Sequence, residues 1–167
     1  MVREGYPTDL VEQEHKRFSK TVNNHLVQVY TMNMVHFVIY GIVGWCLEII
    51  WTGAGSLVNG DMCLTAKTYL WMFPIYGLAL LFEPLHDVIR GWPVWGRGTV
   101  WMLLYFAVEY LTGWILNVVI GTIPWDYSRD VFNIHGLIRL DYAPAWFVVG
   151  LLFEKIHDWL DQIRIVK

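Results

Sequence analysis

The two longest charge-poor runs constrain this chain more than any other feature. Residues 37–58 carry a single charge, Glu48, and residues 98–125 carry a single charge, Glu109. A helix needs about 20 mostly apolar residues to cross the hydrocarbon core of a membrane, and both runs are long enough. Both runs are therefore predicted to be transmembrane helices.

Two shorter runs are predicted to be spans with a polar end. Residues 68–82 are uncharged until Glu83, and residues 142–153 are uncharged until Glu154. Buried helices of a soluble domain can also carry such runs, but the two long runs beside them favour a membrane. We therefore expect an all-α polytopic protein. Its transmembrane domain covers residues 35–167, with spans at about 36–56, 69–88, 99–120 and 143–161.

The segment before the first span, residues 1–34, is polar and is expected to be cytosolic or interfacial. It carries a stripe of apolar residues at helical spacing: Phe18, Val22, Leu26 and Val29. Such an amphipathic helix can lie on a membrane surface. It can equally pack against the helical bundle as an ordinary cytosolic helix.

Positive charge is distributed unequally between the two predicted sides of the membrane. Nine Lys and Arg residues lie in the N-terminal segment, the middle loop or the C-terminal end: Arg3, Lys16, Arg17, Lys20, Arg90, Arg97, Lys155, Arg164 and Lys167. The other two loops hold three, Lys67, Arg129 and Arg139. Because cytoplasmic loops are enriched in Lys and Arg, both termini are predicted to be cytoplasmic.

An internal repeat indicates that the bundle consists of two copies of a two-helix unit. LLFEPLHD at residues 80–87 and LLFEKIHD at residues 151–158 agree at six of eight positions. The interval from Glu83 to Glu154 is longer than the interval from Glu48 to Glu109, so additional residues follow Glu109. They are expected in residues 123–144, which we call the WDYS loop and which is predicted to face outward.

Five motifs occur in order along the chain: GWCLE (44–48), PIYG (74–77), EYLTG (109–113), WDYS (125–128) and FNIHGLIRL (132–140). Over residues 37–160 the chain resembles a family of small bacterial membrane proteins labelled as ABC-transporter permeases, and the related transmembrane protein 229 family of animals. One departure is Asn59-Gly60-Asp61, where bacterial members carry an NRG segment. The resemblance implies a multi-pass, permease-like membrane protein. The chain has no glycine-rich phosphate-binding loop, so an ATP-driven role would need a separate partner.

Each predicted span carries one glutamate: Glu48, Glu83, Glu109 and Glu154. Ionisable groups within membranes face the bundle interior or a water-filled cavity. The four carboxyls can fix the bundle by hydrogen bonds between helices, or they can line a polar route or binding pocket. A third hypothesis is a metal centre built from these glutamates with His86 and His157, since two Glu and two Glu-x-x-His pairs form di-metal sites in bundles. The differing depth of the glutamates in the membrane opposes it.

The WDYS loop is the strongest candidate for a binding surface outside the spans. Its hydrogen-bonding and aromatic residues are Trp125, Asp126, Tyr127, Asn133, His135, Arg139 and Asp141. Arg139 can bind the phosphate of a lipid headgroup or another anion bidentately. Alternatively, Asp126 pairs with Arg139 and the loop folds back as a structural lid.

The sequence favours a permease-like protein, or one that binds a small ligand or lipid. A non-catalytic subunit of a larger membrane assembly is the alternative, and a membrane metalloenzyme is a lesser one. No catalytic triad is present, so an enzyme is disfavoured, and the sequence names no cofactor. The expected partners are membrane lipids and a second copy or other membrane subunits. A net charge of −3 without a basic patch disfavours nucleic acid.

Overall fold

The computed structural model of the protein describes residues 8–165 and is mostly helical. Residues 1–7 of the predicted N-terminal segment and residues 166–167 lie outside the described residues. Five α-helices are α1 (Thr8–Val58), α2 (Met72–Gly77), α3 (Glu83–Ile89), α4 (Val94–Ile120) and α5 (Ala143–Ile165). A short antiparallel pair, β1 (Asn133–Ile134) and β2 (Ile138–Arg139), lies in the WDYS loop.

Three helical segments are long and apolar enough to cross a membrane: Arg17–Val58, Met72–Ile89 and Val94–Ile120. The second and third lie within a few residues of the predicted spans at 69–88 and 99–120, and the first contains the predicted span at 36–56 but begins well before it. The fourth predicted span corresponds to α5, which carries Glu154, Lys155, Asp158 and Asp161 in its second half. The apolar helices make the protein an integral membrane protein.

The second span is a broken helix. A 3-10 segment, Leu78–Phe82, connects α2 to α3. Pro84 lies in the first turn of α3, where its missing N–H removes a hydrogen bond that a continuous α-helix would form. The break places Glu83 at the first residue of α3, and His86 follows on the same helical face.

The chain divides into two units, residues 1–35 and residues 36–167. In the first unit the four residues of the predicted apolar stripe, Phe18, Val22, Leu26 and Val29, all have exposed side chains.

The second unit contains the core, and glycines let its helices approach closely. A Cβ at Gly44 of α1 would overlap with Tyr76 of α2, and a Cβ at Gly150 of α5 would overlap with Trp101 of α4. Neither position has room for a larger residue. Small residues at helix contacts are typical of membrane bundles, where close van der Waals packing drives association.

Candidate functional site

Glu83 is the centre of a hydrogen-bonded cluster that joins three helices. Its Oε1 accepts a hydrogen bond from the Tyr40 hydroxyl at 2.7 Å and lies 2.7 Å from His36 Nδ1, both on α1. His157 of α5 places its Nδ1 3.3 Å from the same oxygen. Tyr40 is 1% exposed and His157 is 6% exposed, so the cluster is enclosed by protein.

Glu154 of α5 is the centre of a second cluster beside the first. Its Oε1 accepts a hydrogen bond from the indole N–H of Trp101 at 2.6 Å and lies 3.6 Å from His86 Nδ1. Its other oxygen, Oε2, lies 3.5 Å from Arg97 Nη2. Glu154 is 3% exposed, and Arg97 supplies the positive charge that a buried carboxylate requires.

The two clusters use equivalent positions of the internal repeat. Glu83 with His86, and Glu154 with His157, occupy the same places in the two copies of the octapeptide. Tyr40 and Trp101 are separated by the same number of residues as Glu48 and Glu109, so they too are equivalent positions of the repeat. Tyr40 donates a hydrogen bond to Glu83, and Trp101 donates one to Glu154. The histidines cross over, because His157 contacts Glu83 and His86 contacts Glu154.

One pair of equivalent positions differs in a way that matters chemically. His36 and Arg97 are equivalent positions, because they are separated by the same number of residues as Tyr40 and Trp101. His36 lies beside Glu83, and Arg97 lies beside Glu154. An arginine is always charged, whereas a histidine can bind or release a proton near neutral pH. The Glu83 cluster therefore has two imidazoles, whereas the Glu154 cluster has one imidazole and a permanent cation.

A cavity of about 50 Å³ lies between these clusters and the apolar middle of the bundle. Both Glu-x-x-His pairs line it: Glu83 with His86, and Glu154 with His157. Its lining also includes the apolar side chains of Phe82, Leu104 and Val108. A space of this size accommodates a few water molecules or one small polar solute.

The other two predicted intramembrane glutamates have separate partners. Glu48 accepts a hydrogen bond from the Thr68 hydroxyl at 2.5 Å. Glu109 accepts one from the Tyr127 hydroxyl at 3.2 Å. The six residues proposed as a metal centre are thus not brought together. Among the described residues, metal-binding donor atoms converge at His36, Glu83 and His157 instead.

The WDYS loop is folded onto the bundle by its own hydrogen bonds. Trp125 is buried, and its indole N–H donates to the Leu137 carbonyl at 3.1 Å. Tyr127 reaches Glu109, and Asn133 Oδ1 accepts from the Gly136 N–H at 2.9 Å. His135 has a left-handed backbone with φ of 52° and lies 2.8 Å from the Tyr110 hydroxyl through Nδ1. The loop residues therefore serve the fold of the loop.

The predicted pair of Asp126 with Arg139 is wrong. Arg139 Nε donates to Asp141 at 3.1 Å, and Arg139 Nη1 lies 3.3 Å from Asp130. Its guanidinium also lies 4.4 Å from the centre of the Tyr142 ring. Asp126 instead accepts a hydrogen bond from the Ser128 N–H at 2.9 Å. Arg139 is therefore already neutralised by carboxylates within the loop.

These contacts shift the pKa values of the titratable groups in the loop. The hydrogen bond between Arg139 and Asp141 raises the pKa of Arg139 and lowers the pKa of Asp141. The Ser128 N–H lowers the pKa of Asp126. Burial, and next the neighbouring Glu109, raise the pKa of Tyr127, so its hydroxyl stays protonated and donates.

The sequence analysis missed two residues of the Glu83 cluster, His36 and Tyr40. They lie one helical turn apart, on one face of α1 together with Gly44 and Glu48. This spacing could have revealed them. Aligning the two copies of the repeat on Glu48 and Glu109 could also have matched Tyr40 with its equivalent in the second copy.

Apolar helices long enough to span a bilayer, around buried carboxyls and imidazoles, define a polytopic helical membrane protein with a polar interior. The family described as "Putative ABC-transporter type IV" has a model that matches residues 35–165. The chain belongs to this family, as its five motifs indicated. No solved structure matches the chain.

Proposed function

We propose that this protein is a permease-like membrane protein that binds a small solute, and that the cavity between Glu83 and Glu154 is the ligand site. The observation that carries the proposal is the convergence of both Glu-x-x-His pairs on one cavity. Ionisable residues in spanning segments mark substrate and ion pathways. Large apolar side chains such as Ile50, Leu103 and Val119 face outward, as lipid contact requires.

The proposed ligand is a small organic cation. Glu83 supplies a carboxylate whose ion-pair partners, within the described part of the chain, are histidines. The apolar part of the cavity lining suits a short alkyl group. An anion at Arg139 is disfavoured because Asp130 and Asp141 already occupy the guanidinium.

The proposed topology has four spans, with α5 as the fourth, in two copies of a two-helix unit and with both termini in the cytoplasm. Contacts that recur at equivalent positions of the two copies support the duplication. The excess of Lys and Arg on the terminal side supports the orientation. Residues 17–35 of α1 are proposed to use the exposed stripe at the membrane surface.

Four spans form a thin bundle, and so we propose that transport requires a second copy or other membrane subunits. A purely structural subunit is the other candidate. It is less well supported, because both Glu-x-x-His pairs of the second unit line a cavity.

The ligand site is tested by the fluorescence of Trp101, whose indole N–H donates to Glu154 in the cavity wall. Purified protein is titrated with methylammonium, acetate and glycerol. Methylammonium is expected to change the emission, and Trp101→Phe is expected to remove most of that change. Glu83→Gln is expected to weaken the apparent affinity at least tenfold, since it removes the carboxylate proposed to bind the cation.

Asp87→Asn is the matched control, because Asp87 is an exposed carboxylate of the same repeat that does not line the cavity. It is expected to respond as the wild type does. An emission change with acetate and none with methylammonium, in folded protein, would refute a cation site. Absence of any response to all three solutes would refute the cavity as a ligand site.

A further inference from the structure

The Glu83 cluster has the donor set of a transition-metal site. We propose that His36, Glu83 and His157 bind one divalent first-row transition-metal ion, with Zn²⁺ as the representative. One ligand atom from each residue lies within 4.8 Å of the others. The inference goes beyond the proposed function, because metal binding requires no transport. A bound ion would occupy the Glu83 carboxylate, so the metal and the organic cation would compete, and methylammonium is titrated into metal-free protein.

The donor atoms are about as far apart as the ligand atoms of a zinc site, or slightly closer. His36 Nδ1 and His157 Nδ1 lie 2.7 and 3.3 Å from the same oxygen of Glu83. Ligands of tetrahedral zinc lie about 2.0–2.2 Å from the ion, so neighbouring ligand atoms are about 3.3 Å apart. Small side-chain shifts would therefore open the cluster enough for the ion.

The ligands come from three different helices, α1, α3 and α5. The side chains that approach them also fit a metal site. Asp161 Oδ2 lies 3.5 Å from Nε2 of His157, on the ring edge opposite Glu83. The two atoms are not hydrogen-bonded, but a small side-chain rotation would let Asp161 accept from Nε2, and this arrangement leaves Nδ1 of a histidine free to bind metal. Tyr40 donates its hydroxyl proton to Glu83 and fixes the orientation of the carboxyl group.

The neighbouring Glu154 cluster explains why one site is proposed and not two. It contains a carboxylate and an imidazole in the same arrangement, but Arg97 occupies the position equivalent to His36. A guanidinium cannot bind a metal and repels a cation. Glu83, in contrast, has two imidazoles that bind a metal once they are deprotonated.

The donor types select the class of ion. Two imidazole nitrogens and one carboxylate suit zinc and its first-row neighbours, whereas magnesium and calcium prefer oxygen ligands. Three protein ligands leave one position of a tetrahedral ion for water or a solute. Glu83 and His157 line the cavity, so this position is accessible from it.

The test is metal binding by full-length protein in detergent without a polyhistidine tag. Zn²⁺ is titrated by calorimetry, and Co²⁺ is titrated by visible absorption. One ion per chain is expected, with cobalt bands typical of a four- or five-coordinate site. His36→Gln and Glu83→Gln are each expected to lower the affinity at least a hundredfold.

The His36→Cys variant distinguishes loss of a metal ligand from loss of binding through misfolding. A thiolate is a zinc ligand, so this variant is expected to retain one cobalt ion and to gain a sulfur-to-cobalt charge-transfer band. That band places the ion beside residue 36. A His36→Cys variant that binds cobalt without the band would overturn the assignment.

His86→Gln is the matched control, because His86 is the repeat equivalent of His157 in the cluster that contains Arg97. It is expected to keep the bound zinc. Loss of zinc from His86→Gln to the same extent as from His36→Gln would overturn the assignment to the Glu83 cluster. Wild-type protein that binds no stoichiometric zinc or cobalt would refute the site, whatever the result with methylammonium.

Discussion

The buried carboxyl of Glu109 depends on one residue of the WDYS loop. Tyr127 donates a hydrogen bond to its Oε1, while among the described residues no group meets hydrogen-bond geometry at its Oε2. The indole N–H of Trp146 is close to the same carboxyl but outside hydrogen-bond geometry. A buried polar group that loses its partner costs about 1–3 kcal/mol. The contact between the WDYS loop and α4 therefore depends strongly on the hydroxyl group of Tyr127.

Tyr127→Phe is expected to lower the free energy of unfolding by about 1–3 kcal/mol, because the Glu109 carboxyl loses its donor. The measurement is the thermal unfolding midpoint in detergent, followed by tryptophan emission. Tyr110→Phe is the control, since the Tyr110 hydroxyl makes its contact to His135 at an exposed position. Its effect should stay within about 0.5 kcal/mol. Equal losses in both variants would contradict a special role for Tyr127.

Single residues of the site were predictable to differing degrees. Glu83, Glu154 and the two histidines that follow them were found because a repeated octapeptide carries them. His36 was missed because it precedes the first charge-poor run and because its partner Glu83 lies far along the chain, in another predicted span. Arg139 was matched with the wrong aspartate, since composition does not reveal which of three carboxylates a turn will bring closest.

The broken second span is the element that departs most from the predicted continuous helix at 69–88. Pro74 and Pro84 flank the 3-10 segment Leu78–Phe82, and Glu83 follows it directly. Irregular backbone at membrane depth is tolerated where protein or a cavity covers it. Phe82 and Glu83 line the cavity, so the break lies at the site. The two prolines were the available signal.

Helix contact in the first pair of spans depends on glycine. Gly44→Ala would place a Cβ inside the van der Waals surface of the Tyr76 side chain, so α1 and α2 would have to separate. We expect a loss of about 1–3 kcal/mol, the usual cost of overpacking, measured as a lowered thermal midpoint in detergent. Gly55→Ala, also in α1, is the control because no atom lies within 4 Å of its added Cβ.

Alanine at Gly55 should be neutral or stabilising by about 0.5–1 kcal/mol, since alanine loses less backbone entropy in a helix. Unchanged stability of Gly44→Ala would show that α1 and α2 do not pack through this contact.

At the scale of the molecule, the charge-poor runs of the sequence predicted the positions of the helices well. The predicted spans begin and end within a few residues of the helical segments, apart from the extension of α1 back to Thr8. The fourth span could not be established from charge-poor runs, because the second half of α5 is charged. Its carboxylates and histidine take part in the site, and a site of this kind lowers the hydropathy by which spans are recognised.

The four-span topology predicts which loops share a side. Cys63 in a Cys46→Ala background should react with a membrane-impermeant maleimide in intact cells. With both native cysteines replaced by alanine, a cysteine from Gly121→Cys should react in the same way. Gly91→Cys and Gln162→Cys should react only after permeabilisation, because they lie on the predicted cytoplasmic side. Reaction of Gln162→Cys in intact cells would show that α5 does not cross the membrane.

The crossed contacts of the two histidines have a consequence for the biogenesis of the protein. Glu83 and His86 are synthesised well before Glu154 and His157, which lie in the last helix. During translation the first half therefore reaches the bilayer with a carboxyl and an imidazole that have no partner from the second repeat, which is costly in lipid. In the proposed four-span topology, insertion of α5 supplies the contacts of His157 with Glu83 and of Glu154 with His86, which join the two halves.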